Sequence, residues 1–381
     1  MEAGSGSPSA ALITRAEDFA GRAAVLRGRT RIAVDTEGDG MFRYRSSLCI
    51  VQICDGETVD LLDTLRMDDL SDLGAVLAGG PVKVVHDAPF DLRQLKTAGI
   101  SLSPLLDTSV MGKFLGEPAL GLGSLVEKYV GVTLDKSKQQ EDWGARPLPD
   151  AHLQYLADDV LHLLPLADAL WAKVEEAGIA EEVEEECRYV IFSAARSEPS
   201  EAKPLWQRIK GSDRIVESAQ AVLRELCLER EQLAEKRNVP PYRIASNQAL
   251  LDLATQPPRG ADDYGRMKGV PKPAWVRDPL LRAVQRGVQA RQLPAEEKKR
   301  DGAPPPREER DARRKRHGTI TAWRSVEAKT RAVSDQAILP GHCLEDLLTR
   351  MPASLADLDG IPGLGACRVE RYGAKLLELL R

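Results

Sequence analysis

Asp35 and Glu37 stand one residue apart at the end of an apolar run, Ile32-Ala33-Val34, in a chain of 381 residues. If that run is a β-strand, side chains alternate between faces, and the two carboxylates project together from its carboxyl end. Like charges that close repel unless a cation lies between them. A divalent ion suits such a pair, because hard cations take oxygen ligands. The triplet Asp-x-Glu also ends ordinary strands, so the pair gains meaning only if further carboxylates converge on it.

Two later stretches offer them. Val84-Val85-His86-Asp87-Ala88-Pro89-Phe90-Asp91 leaves a strand and enters a helix, at the sheet edge where open α/β folds build their sites. Asp87 fits a helix N-cap, whereas Asp91 falls inside the helix and needs another reason to be there. Tyr155 and Asp159 lie four apart on an apolar helix and share a face, from which Asp158 is turned away. Asp39, close to the first pair, has no place in this set and is expected to be dispensable for metal binding.

The elements that must position these groups can be read from periodicity. Arg31 to Asp35, Leu48 to Cys54, Thr58 to Leu62 and Val82 to Val85 read as strands. Met67 to Leu77 and Phe90 to Ala98 read as helices, each closed by glycine. The order β-β-β-α-β-α predicts an α/β layer fold with a mixed sheet that starts as an antiparallel meander. This domain spans 12–200, after a small polar lead over 1–11 expected to be disordered. Its acidic run from Ala180 to Arg188 reads as a solvated helix face, and Ser197 to Pro204 as a hinge. An all-helical unit follows over 209–292, then a charged, proline-rich linker over 293–316 that cannot bury a core. A second small helical unit occupies 317–381. The two helical units share a pattern in which Gly269-Val270-Pro271 answers Gly360-Ile361-Pro362, so they read as a diverged tandem repeat.

Composition excludes several classes. Hydrophobic content is 43%, charged content 29% and formal net charge −5, which fits a globular chain with no membrane span. The start lacks the pattern of a secretory signal, and the six cysteines show no zinc spacing, so a cytoplasmic protein with reduced thiols is expected.

Asp-x-Glu on the first strand, Asp91 after the strand ending in His86, and Tyr-x-x-x-Asp on a late helix resemble, in that order, the DEDD 3′→5′ exonuclease superfamily. The tyrosine resembles its DEDDy branch. Leu134-Asp135-Lys136-Ser137, Asp142 to Leu148, Tyr155 to Val160 and Leu163 to Leu166 are similar to the ribonuclease D family, over about residues 31–170. Arg237-Asn238-Val239-Pro240-Pro241 through Ala254 resembles the HRDC domain, of which that family carries two; the second unit is less regular.

The resemblance implies a ribonuclease H-like exonuclease domain followed by two all-α HRDC-type domains. It implies two Mg²⁺ or Mn²⁺ ions, clamping the attacking and leaving oxygens of a phosphodiester. Asp35 would bridge both, Glu37 and Asp159 would hold the ion that activates water, and Asp91 would serve the other. Tyr155 would orient the water. The implied activity is 3′→5′ trimming of structured RNA such as tRNA precursors. A DNA 3′→5′ exonuclease and a catalytically silent nucleic-acid-binding protein are the alternatives. His86 could meet the scissile region or be a strand-end histidine. Lys136, Lys138 and Arg146 could contact phosphates or be solvated charges. Trp143 could stack on a base or anchor the Arg146-Pro147 loop. Ile361-Pro362-Gly363-Leu364-Gly365 resembles a helix-hairpin-helix turn, which either faces a phosphate or only joins two helices. The cluster Arg313-Arg314-Lys315-Arg316 would add nonspecific phosphate affinity.

Overall fold

Strand β2 (Arg31–Gly38) is the strand of Asp35 and Glu37, and it lies inside a six-stranded sheet of order β1-β4-β3-β2-β5-β6. The computed structural model describes residues 9–135, 137–138, 140–196, 203–297 and 306–381. Strands β3 (Leu48–Cys54) and β4 (Thr58–Asp63) run antiparallel beside β2, which is the predicted meander. On the other side β5 (Val82–Val85) and β6 (Leu105–Asp107) pair in parallel. All seven residues of β3 are buried, as a strand covered on both faces requires. A register shift between Glu37 and Gly38 ends the β2–β3 ladder. A Cβ on Gly38 would lie 1.7 Å from Gln94 Nε2 and 3.0 Å from Ser47 O, so a larger residue there would have to displace the Gln94 side chain.

Helices α1 (Ala16–Arg27), α2 (Ser71–Ala78), α3 (Pro89–Thr97), α4 (Thr108–Leu115) and α5 (Leu122–Val130) connect or follow the strands. Helix α6 (Asp150–Leu161) packs on β2, β3 and β4. Helices α7 (Leu163–Glu176) and α8 (Ala180–Arg196) complete the layer around one hydrophobic core.

Three sequence expectations are corrected here. Strand β1 (Ser9–Ile13) begins inside the stretch read as a disordered lead, because it pairs in parallel with β4 from Ser9↔Thr58 to Ile13↔Leu62. Residues 1–8 of that lead lie outside the described residues. The linker reading of 293–316 fails at its end, where helix α14 (Arg307–Arg331) already runs. Its charged residues are strong helix formers, and Arg313 and Arg316 are tied to the helices behind them. Arg313 donates to Leu348 O at 2.8 Å and pairs with Glu345 at 2.7 Å; Arg316 donates to Leu380 O at 2.8 Å. The acidic run of α8 is not a solvated face either, since Glu182 and Glu186 are buried. The hinge reading falls mostly on 197–202, outside the described residues.

The chain divides into two compact units. One comprises 1–38, 47–196 and 305–381; the other comprises 39–46 and 197–304. The second unit contains α9 (Glu217–Arg237), α10 (Pro241–Ile244), α11 (Asn247–Thr255), α12 (Ala261–Arg266) and α13 (Ala274–Ala290) around its own core. Ser246 caps α11 by accepting from Ala249 N, as read from sequence. Segment 39–46 packs within this unit: Tyr242 donates its hydroxyl to Met41 O at 2.9 Å, and Arg243 lies 5.0 Å over the Phe42 ring. Asp39, buried at the start of that segment, stands outside the carboxylate cluster described below.

The first unit ends in α14, α15 (Asp335–Ile338), α16 (Gly341–Arg350), α17 (Leu355–Leu358) and α18 (Ala366–Leu380). The long–short–medium–short–long order repeats that of α9 to α13, and Ile244 and Ile338 are buried at matching places. This helical module is fastened to α8. Arg331 and Arg371 reach Glu182 Oε1 at 3.2 and 2.6 Å. Arg368, fully buried, donates to Ala337 O, Gly363 O, Leu364 O and Glu182 O. Ser334 N donates to Phe114 O of α4 at 2.9 Å.

Candidate active site

The pleat of β2 does what the alternation of its sequence predicts. Asp35 and Glu37 open on one side into a cleft of about 720 Å³, which Asp91, Tyr155 and Asp159 also line. One carboxylate oxygen each from Asp35, Glu37 and Asp159 lies within 4.8 Å of the others. Asp159 reaches them because α6 crosses the same face and places its Tyr155–Asp159 side toward β2. Asp91 comes from the first turn of α3 and stands beside the cluster of three. Its Oδ1 accepts from the hydroxyl of Thr36 at 2.6 Å, so the residue between the two strand carboxylates holds the fourth.

The electrostatics are those of anions crowded in a half-buried cleft. Burial pushes the Asp35 carboxyl up to about 6. Burial, then the charges of Asp35, Asp159 and Asp91, push Glu37 up to about 10. Burial and then Asp35 raise Asp159 to about 8, and raise Asp91 well above the usual carboxylate range. Burial and the nearby carboxylates also raise the Tyr155 phenol, whose hydroxyl bonds Asp159. An all-oxygen donor set that holds its protons this tightly fits a hard divalent cation, which would replace those protons.

The remaining sequence candidates fare differently. His86 lines the cleft, but its Nδ1 lies 2.8 Å from Thr108 Oγ1 and it bonds the backbone of Leu120; burial lowers its proton affinity. That makes it a brace between β5 and the loop before α5. Trp143 is 1% exposed, so the base-stacking reading is corrected: its indole stacks on Tyr155 instead. Arg146 is likewise not free for a phosphate. It forks onto Asp63 at 2.6 and 2.7 Å and donates to Trp143 O and Ala145 O. Lys136 lies outside the described residues, and Lys138 pairs with Glu141 at 3.7 Å.

Two acidic residues of the cleft, Asp107 and Glu186, were not singled out from sequence. Asp87 is not the N-cap of α3; it has φ 61°, a left-handed conformation that Asp tolerates. The N-cap position of α3 is Ala88, which has no side-chain cap bond among the described residues. Asp107 caps α4 by accepting from Ser109 N at 2.8 Å, and the same carboxylate accepts from Asp87 N and Ala88 N at 3.1 and 2.9 Å, which holds the turn before α3. The signal was present in Asp107-Thr108-Ser109, an N-cap pattern before α4. Glu186 of α8 also lines the cleft, and His342 of the C-terminal module lies 3.1 Å from its Oε2. The turn that resembles a helix-hairpin-helix is spent on the same docking. A Cβ on Gly363 would lie 2.5 Å from His342, and one on Gly365 2.6 Å from Glu185.

Comparison with known proteins matches this geometry. Residues 11–175 match the 3′-5′ exonuclease family, and 219–277 and 315–380 each match the HRDC domain. Ribonuclease D of Granulibacter bethesdensis is 31% identical over 271 residues, covering 69% of this chain and 67% of that protein. Ribonuclease D of Escherichia coli is 32% identical over 250 residues, covering 65% and 66%. The crystal structure of Escherichia coli RNase D, described as an exoribonuclease involved in structured RNA processing, superposes with a TM-score of 0.72. It is 27% identical and covers 97% of this chain and 98% of its own. The exonuclease domain of this family is metal-dependent, which the acidic cluster accommodates. A mixed-sheet nuclease domain with a carboxylate cleft, followed by two HRDC domains, makes this chain a hydrolytic 3′→5′ exoribonuclease, and it belongs to the ribonuclease D family.

Proposed function

We propose that Asp35, Glu37, Asp91 and Asp159 hold two divalent cations, Mg²⁺ or Mn²⁺, and that the chain trims 3′ ends of structured RNA such as tRNA precursors. The observation that supports the first part is the convergence of three carboxylate oxygens within 4.8 Å in a half-buried cleft. When bound, the cations would acidify water and neutralise charge on the phosphodiester. Asp35 is the most central ligand, since its charge acts on Glu37, Asp91 and Asp159 alike. Thr36 fixes the Asp91 carboxylate through its hydroxyl. Tyr155 bonds Asp159 and faces the cleft, so its hydroxyl orients the attacking water; its raised proton affinity keeps the phenol protonated, so no phenolate is available to act as a base. Water attacks the terminal phosphorus, the 3′ oxygen of the preceding nucleotide leaves and takes up a proton, and a nucleoside 5′-monophosphate is released. The substrate reading is supported by likeness to an exoribonuclease of structured RNA and by the two HRDC matches.

The test uses matched RNA and DNA oligonucleotides labelled at the 5′ end, with Mg²⁺, Mn²⁺ or chelator, beside a tRNA carrying a 3′ extension. Expected is a ladder of shortened RNA that chelator abolishes, and trimming of the extension to the acceptor stem. Asp35→Ala or Asp159→Ala should be folded and inactive. An active, folded Asp35→Ala protein would sink the site assignment, and an untrimmed tRNA extension would remove the substrate reading.

A further inference from the structure

Tyr155 approaches the carboxylates on α6, but nothing in a single helix fixes its ring to within the tolerance an orienting group needs. The loop before α6 supplies that restraint. Trp143 is buried, and its indole lies 5.8 Å from the Tyr155 ring centroid at an interplanar angle of 26°. The His152 ring, one turn earlier on α6, meets the same indole edge-on at 5.2 Å. The indole N–H has no hydrogen-bond partner among the described residues, so the ring's contribution there is its surface.

The loop is fixed in turn. Arg146 grips Asp63 with two nitrogens, at 2.6 and 2.7 Å, and reaches Cys49 O at 3.3 Å. Its third nitrogen donates to Trp143 O at 2.6 Å, so one guanidinium joins the tryptophan's backbone to the sheet. The place it grips is informative. Asp63 pairs with Ile50, and Ile50 pairs with Glu37, so Arg146 holds the rung of the sheet that carries Glu37. The fork is geometrically specific, because a guanidinium and a carboxylate meet through two parallel hydrogen bonds.

We propose that Trp143, held by Arg146 on Asp63, is a positioning residue for the reaction: it sets the Tyr155 ring relative to the strand carboxylates and touches neither RNA nor cation. The proposal rests on the orienting role given to Tyr155. Misplacement of such a group by about 1 Å can cost about a hundredfold in rate. Trp143→Leu should therefore lower kcat by about ten- to a hundredfold while leaving RNA affinity in chelator, read by anisotropy, within about twofold. Trp143→Phe keeps a flat ring against Tyr155 and should restore kcat to within about threefold.

The deciding measurement is a double-mutant cycle on the full chain with Tyr155→Phe and a short 5′-labelled RNA. Once the hydroxyl is gone, Trp143→Leu should lower kcat by no more than about twofold. Multiplying losses in the cycle would overturn the positioning role alone. So would a rise in the RNA dissociation constant with kcat kept, which would make Trp143 a substrate contact. A fully active Tyr155→Phe enzyme would overturn the tyrosine's role and this proposal with it. If Trp143→Leu does not fold, Arg146→Gln, which frees the loop and keeps the ring, must show the same kcat-only loss and the same non-additivity. Failure of either would refute the proposal.

Discussion

Neutralising Glu37 is expected to stabilise the cation-free enzyme while destroying its activity. The ligand oxygens of Asp35, Glu37 and Asp159 lie within 4.8 Å of one another. Two full charges at that distance repel by about 3.5 kcal/mol at an effective dielectric of about 20. The cluster avoids part of this by keeping protons. Burial, then the charges of Asp35, Asp159 and Asp91, push Glu37 up to about 10. Its folded proton affinity is thus raised above the unfolded value. The stability it contributes is complete below the ordinary carboxylate range and is lost as pH rises through about 10. At pH 8 the unfolded chain gains by ionising Glu37 and the folded chain cannot. Glu37→Gln removes that linkage. The cleft is open to water, so the gain is discounted to about 1–3 kcal/mol, or about 2–10 °C in Tm for a domain of this size. Thermal denaturation in chelator at pH 5, 6.5 and 8 should show the variant progressively more stable than wild type as pH rises. Added Mg²⁺ or Mn²⁺ should raise the wild-type Tm and leave the variant nearly unmoved, narrowing or reversing the order. A variant less stable than wild type at pH 8 in chelator, or a gap that ignores pH, would refute the reasoning.

Other substitutions separate structural from functional charge. Asp55 accepts the amides of Glu57 and Thr58 and pairs with Arg22 and Arg29. Burial opposes ionisation, but these donors win and hold its carboxyl at about 2. A depressed carboxyl contributes stability above its unfolded value, lost as pH falls through about 2, so Asp55→Asn should cost about 1–2 kcal/mol in urea denaturation at pH 7 and progressively less below pH 4. Gly363 has φ 79° and no room for a Cβ beside His342 and Tyr189. Gly363→Ala should cost about 2 kcal/mol and expose the C-terminal module to limited proteolysis; an unchanged digestion pattern would contradict the docking. Arg313→Gln and Arg316→Gln should lower Tm, whereas Arg314→Gln with Lys315→Gln should spare Tm and flatten the salt dependence of RNA binding, by about 0.7 in slope for each phosphate no longer neutralised. An unaltered slope would take this helix off the RNA path. Asp39→Asn should leave the Mg²⁺-induced rise in Tm intact, and losing it would place Asp39 among the cation's neighbours.

Most of the carboxylate cluster was legible because two simple periods locate it. Two-residue alternation aims Asp35 and Glu37 together, and four-residue helical spacing aims Tyr155 and Asp159 together. What sequence could not supply was the partner of a charge. Arg146 read as a phosphate contact or a solvated charge, and only the fold reveals Asp63, 83 residues away, as the group that takes it. The acidic run of α8 read as a solvated face for the same reason. Its cations, Arg331 and Arg371, lie 149 and 189 residues from Glu182. Strands β1 and β6 were missed because each draws its stability from a neighbour in the sheet, and a three-residue strand such as β6 carries no period of its own.

The two helical modules show how far a local pattern can go before context decides. Both carry the turn sequence Gly-x-Pro, with Val270 and Ile361 buried at the middle position. After the proline they part: the first continues Lys272-Pro273, the second Gly363-Leu364-Gly365. Those glycines resemble a phosphate-facing turn, and from sequence alone that reading and a plain helical joint were equal. In the structure both glycines have positive φ, and a Cβ on either would strike a side chain of α8 or His342. Leu364 is buried, and Arg368 one turn on spends its guanidinium on the carbonyls of Gly363 and Leu364. The turn is shaped by the helix it is pressed against. The same docking brings His342 to Glu186, a wall of the active-site cleft. The second HRDC domain therefore braces a residue of the cleft wall through His342.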